Sequence, residues 1–165
     1  MDIKRQTLRH FLATLAYRVQ KALRDAPDPF AEFRAKPGVR TPHELLSHMT
    51  GVLSYARTFL AGGESFRERM PTFREEIIRF HEVLESLGTL LLGDKPFNGT
   101  TPDKMLQGPF SDAMTHAGQL ALLRRLYGSP VPPENFIMAA VNPANLGPDQ
   151  PHPVCPDKEW TVPDR

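Results

Sequence analysis

The stretch Gly108-Pro-Phe-Ser-Asp-Ala-Met-Thr-His-Ala-Gly-Gln-Leu-Ala-Leu-Leu-Arg-Arg-Leu-Tyr-Gly128 decides how the chain is read. It predicts one helix. Pro109 suits a first helical position, where no backbone N–H is needed, and Gly128 suits a C-terminal stop. Between them Asp112, His116, Gln119/Leu120, Leu123 and Leu126/Tyr127 recur at spacings of three and four, so they share a face. That face is polar in its first half and apolar in its second. A stripe aimed at a core should not begin with a carboxylate and an imidazole unless something satisfies them, and a metal ion is the simplest such partner.

Three more amphipathic helices are predicted upstream. Residues 3–24 carry an apolar stripe of Leu8, Phe11, Leu12, Leu15, Val19, Ala22 and Leu23, with Lys4, Arg5, Arg9, Arg18, Lys21 and Arg24 mostly off it. Ala26-Pro27-Asp28-Pro29 ends this helix. The connection that follows is long for a helical bundle, and its Phe30 and Phe33 are expected to pack on the helices, as a wall, a lid or a plain crossover. Thr41-Pro42-His43-Glu44 then gives an N-cap, a first-position proline and a capping-box glutamate. Leu45, His48, Met49, Val52, Tyr55/Ala56 and Phe59 form the expected buried face of this second helix, and Gly62-Gly63 ends it. The third helix is expected from Thr72 or Phe73 to Leu92, with Phe73, Ile77, Phe80, Leu84, Leu87 and Leu91 inward, His81 at the edge, and Glu75, Glu76, Glu82 and Glu85 toward solvent. Thr101-Pro102 opens a short helical piece that Gly108-Pro109 breaks or kinks.

Periodicity ends at Ser129. Nine of the seventeen prolines fall in residues 129–165, yet Phe136, Ile137, Met138 and Trp160 argue for an extended tail packed on the helices or on a second subunit. The expected architecture is therefore all-α: a four-helix bundle over residues 1–128 and a proline-rich tail over 129–165 in the same domain. A net charge of +1 gives no electrostatic case for nucleic acid or an anionic membrane. No apolar run is long enough to span a bilayer. The N-terminus reads as a charged helix rather than a signal peptide, and a single cysteine allows no internal disulfide, which together fit a reducing cytoplasm.

Asp112 and His116 stand one helical turn apart, close enough to bind one ion. His48, centred on another inward stripe, is the best third ligand. Two imidazoles and one carboxylate leave coordination positions open, which suits a catalytic site better than a closed structural one. Gln119 shares the face as a weak ligand, a donor behind the ligands or a substrate contact. The plainer readings stay open at this point. Asp112 near a helix start is favoured by the dipole alone, and His116 can hydrogen-bond to Asp112 or to a carbonyl.

Thr-Pro-His-Glu-Leu-Leu-Ser-His48-Met-Thr, followed later by Asp112-Ala-Met-Thr-His116-Ala-Gly118-Gln119-Leu-Ala-Leu-Leu-Arg-Arg-Leu, resembles the DinB/YfiT-like superfamily over residues 3 to about 128. The resemblance implies an up-down-down-up four-helix bundle, usually homodimeric. It also implies a metal site of one histidine on the second helix and a His-x-x-x-His pair followed by Gly-Gln on the last. Those positions are His48, Asp112, His116 and Gly118-Gln119. Asp112 departs from the family histidine, which keeps a divalent ion (Zn, Ni, Fe or Mn) without selecting one, or marks a degenerate site. The activity implied is thiol S-transfer with a metal-bound low-molecular-weight thiol acting on a small-molecule substrate. The alternatives are a metal-dependent hydrolase, or a non-catalytic binding or dimerisation protein. Tyr55, His81 and Arg124 are general-base candidates only where they line the site. Cys155, near His152, reads as a free surface thiol.

Overall fold

The computed structural model describes residues 2–157. Its regular elements are helical: α1 (Ile3–Leu23), α2 (Pro42–Ala61), α3 (Phe73–Leu92), α4 (Pro102–Met105), a π-helical turn (Leu106–Phe110) and α5 (Ser111–Leu126). No strand occurs among the described residues. Trp160, one of the residues cited for a packed tail, lies outside them.

Local chemistry sets the helix ends. Thr41 and Glu44 form the expected capping box, with Glu44 N donating to Thr41 Oγ1 at 3.2 Å and Thr41 N to Glu44 Oε2 at 2.8 Å. Thr72 and Glu75 form a second box at the start of α3. Gly62 ends α2 at φ 72°, a conformation that costs glycine nothing. Pro109 does not start a helix. Thr101 caps the segment at Pro102 instead, and the backbone passes Pro109 through the π turn, which accommodates the missing N–H without stopping the helix.

α1 packs against α3 and α5, and α2 packs against the same two. Leu12, Leu15, Leu46, Met49, Leu53, Phe80, Leu84, Phe110 and Leu120 fill the space between them and are fully shielded from solvent. Lys4 at the start of α1 meets Asp103 in α4 at 2.6 Å, while Arg124 near the end of α5 donates to the Ala22 carbonyl. Arg5 donates to the carbonyls of Leu90 and Lys95, at the far end of α3. His43 at the start of α2 packs on Phe73 at the start of α3.

Several polar residues expected on the surface are inside. Glu76 is fully buried; the Arg79 guanidinium grips its carboxylate and Met70 N donates to it. Arg5 and Lys21 of α1 are buried too, each with acceptors. A charge goes under cover where a partner three residues on, or on another segment, completes it. Tyr55 is displaced the other way. The buried ridge of α2 is Leu45, Leu46, Met49, Leu53, Ala56 and Leu60, which leaves Tyr55 54 % exposed.

Phe30, in a 3₁₀ turn spanning Asp28–Glu32, is buried, and both Phe30 and Phe33 meet Tyr127 edge-on. Beyond α5 the described residues run without α-helix across the other elements. Tyr17 and Lys21 bind Glu134 at 2.6 and 2.7 Å, Arg9 donates to the Pro143 carbonyl, and His81 Nδ1 donates to the Leu146 carbonyl at 2.8 Å. No helix among the described residues is long and apolar enough to cross a membrane.

Candidate metal centre

Because α2 and α5 are packed neighbours, His48 from one and Asp112 and His116 from the other converge. One ligand atom of each lies within 4.8 Å of the others. Asp112 stands between the imidazoles, with Oδ2 3.7 Å from His48 Nε2 and Oδ1 3.4 Å from His116 Nε2. The two rings meet edge-on with centroids 4.8 Å apart.

These separations bear on the readings left open by the sequence. They are too long for good hydrogen bonds, whose donor–acceptor distance is about 2.7–3.2 Å. Bonds of about 2.0–2.2 Å to a shared ion would bring neighbouring donors to roughly 3.0–3.5 Å, a range that holds the 3.4 Å pair and lies just short of the 3.7 Å one. The group can therefore hold a metal ion. His116 Nδ1 lies 2.8 Å from Gln119 Oε1, so Gln119 acts as acceptor rather than donor. Nδ1 donates in this contact, and Nε2 is the ring nitrogen turned toward Asp112. The helix turn that sets Asp112 beside His116 places Gln119 three residues further on.

Burial lowers the His48 pKa, and the charges of Arg40 and then His116 lower it further, against a smaller opposing effect of Asp112. The shift favours the neutral imidazole, the form that binds a cation. The side chains are partly open, at 33 % exposure for His48 and 47 % for Asp112 against 12 % for His116. The site is thus open to solvent on the side of His48 and Asp112.

The triad separates two recesses. His48 and Asp112 face a wide cleft of ≈1020 Å³, bounded also by Tyr55, Phe66, Arg67 and Pro109. His116 and Gln119 face a groove of ≈710 Å³, whose opposite wall is residues 35–40 of the connection between α1 and α2. Of the three general-base candidates, Tyr55 lines the wide cleft. His81 does not reach the centre, being sealed beneath the Leu146 carbonyl. Arg124 is also elsewhere, donating to the carbonyls of Ala22, Arg24 and Ser129 where α1 and α5 end. The cleft residues Arg67 and Phe66 and the groove residue Arg40 carry no periodic signal, since they lie in loops whose path the sequence pattern does not fix. Comparison with known proteins gives no match to a family model, to a curated protein or to a solved structure.

Proposed function

We propose that the protein is a metal-dependent enzyme of the DinB/YfiT-like type, catalysing thiol S-transfer between a small thiol and a small electrophile. The observation that carries this reading is the grouping of His48, Asp112 and His116 from two helices, with one ligand atom of each within 4.8 Å of the others and no hydrogen bond among them. The implied up-down-down-up bundle has its own support. Contacts at Lys4–Asp103 and Ala22–Arg124 run α1 and α5 in the same sense. Arg5 at Leu90 sets α3 against α1, and His43 on Phe73 runs α2 alongside α3. A homodimer in a reducing compartment belongs to the same proposal.

When bound, a divalent cation supplies the Lewis acidity that lowers the pKa of a thiol or water placed against it. The side chains do the rest. His48, Asp112 and His116 would hold the ion, and Gln119, bonded to His116 Nδ1, would orient that ring. Two recesses meeting at one centre favour transfer between two organic molecules over hydrolysis, which needs room for only one.

Metal analysis of protein purified without a chelating tag tests the proposal. One divalent ion per chain is expected, lost in His48→Ala and His116→Ala. A panel of activated electrophiles with several small thiols should then give turnover that needs both metal and thiol. Turnover without thiol would identify a hydrolase instead. Absence of metal would leave a non-catalytic binding protein.

A further inference from the structure

The groove beside His116 has an amphiphilic lining. One wall is apolar, built from Leu45 and Leu123 with Leu122 and Leu126, and the last two remain 54 % and 56 % exposed. The other wall brings two cations, Lys36 and Arg40, and no carboxylate is among the lining residues. That wall is a shaped turn. Lys36-Pro37-Gly38-Val39 closes with Val39 N donating to the Lys36 carbonyl at 3.1 Å, and Gly38 takes φ 82°, the pattern of a proline–glycine β-turn. Arg34 holds the turn by donating to the Val39 carbonyl while paired with Glu44. Arg5, Arg34, Arg79 and Arg124 are all tied to carbonyls or carboxylates. Lys36 and Arg40 have no such partner among the described residues.

We propose that this groove is a substrate subsite of the metal centre, selective for a small carboxylate with an apolar body. The body lies on Leu45, Leu122 and Leu126, and the carboxylate is held by Arg40 and Lys36. Charge complementarity fixes the class: an apolar wall facing two unpartnered cations, with no lining acid, matches a molecule that is greasy along its length and anionic at one end. The assignment rests on the metal-dependent reading for its link to catalysis, because His116 and Gln119 close one side of the same groove.

Calorimetric titration of zinc-loaded protein with octanoate, and with 1-octanol as the uncharged probe, tests it. A separate zinc titration reads the metal site by itself. Octanoate should bind once per chain and 1-octanol at least about tenfold more weakly. Arg40→Gln should weaken octanoate about tenfold, and Leu122→Ser should weaken both probes. Octanoate binding that ignores Arg40→Gln, or that vanishes with zinc while ignoring Arg40→Gln, overturns the proposal by placing the carboxylate elsewhere. So does absence of octanoate binding to the zinc-loaded chain; a dimer seen by sedimentation that Leu122→Asp dissociates would then show that a second copy covers the groove. A flat zinc titration refutes the metal reading alone. Octanoate is then titrated into the metal-free chain, where binding weakened by Arg40→Gln upholds the subsite and absence of binding overturns it.

Discussion

A single neighbour orients His116. With Gln119 Oε1 accepting from Nδ1, the ring turns Nε2 toward Asp112; without it, that orientation loses its anchor. Gln119→Ala is therefore expected to weaken metal affinity roughly 10–100-fold with the helical circular dichroism unchanged, read by competition against a chromophoric chelator. His81 is a histidine of another kind. Burial depresses its pKa below the ordinary 6.5, partly offset by its bond to the Leu146 carbonyl, and its Nε2 is buried without a partner. The unfolded chain takes up this proton more readily than the folded one. The contribution is intact above about pH 6.5 and is lost as pH falls from there toward the lower folded value. Thermal melts at pH 7.5 and 5.5 should show wild type losing more stability than His81→Gln, whose amide can still donate to Leu146. Such residues mark the limit of what periodicity tells. Glu76 fits a solvent-facing pattern and is nonetheless buried, because Arg79 and the backbone before α3 supply its partners. Spacing locates a side chain on a face; it does not show whether a partner waits there.

The helices themselves are plain in the sequence, since caps and stripes are local chemistry. Thr41 with Glu44 and the Gly62 stop behave as local rules dictate. The fourth segment is harder because two start signals lie seven residues apart, at Pro102 and Pro109. Which one begins the helix depends on what covers the residues between, and Met105 and Phe110 are both buried. Tertiary burial of these two carries the helix through Pro109 at the cost of a π turn. Gly88 shows packing overruling propensity on α3. Alanine there would gain about 1 kcal/mol of intrinsic helix stability. Its Cβ, however, would run into Leu146 Cδ1, which comes from the segment beyond α5. Gly88→Ala should therefore destabilise the fold by about 1–3 kcal/mol. In a Leu146→Ala background the same change should be neutral or stabilising, as read from a double-mutant cycle in urea.

At the scale of the whole molecule, function depends on which helices are neighbours. Stripe positions alone do not say that α2 and α5 touch; the order of His48, Asp112 and His116 in a resembling pattern carried that expectation, and their convergence follows from the packing. The chain beyond α5 belongs to this arrangement because it completes charges that α1 buries. Glu134, its side chain wholly shielded, accepts from Tyr17 and pairs with Lys21, which is itself 9 % exposed. Burial, reinforced by Glu134, pushes the Tyr17 pKa well up, so the phenol stays a neutral donor. The pair is worth little as attraction, since two ions have been taken out of water to make it. Breaking it is another matter. Glu134→Ala strands a buried ammonium and a buried hydroxyl, and is expected to cost about 3–5 kcal/mol. Replacing both partners, as in Lys21→Met with Glu134→Leu, removes the stranded charge and should recover most of that loss. Urea midpoints of the single and double variants test this. A double variant as unstable as Glu134→Ala would mean that the segment is held by its backbone and apolar contacts rather than by this charge pair.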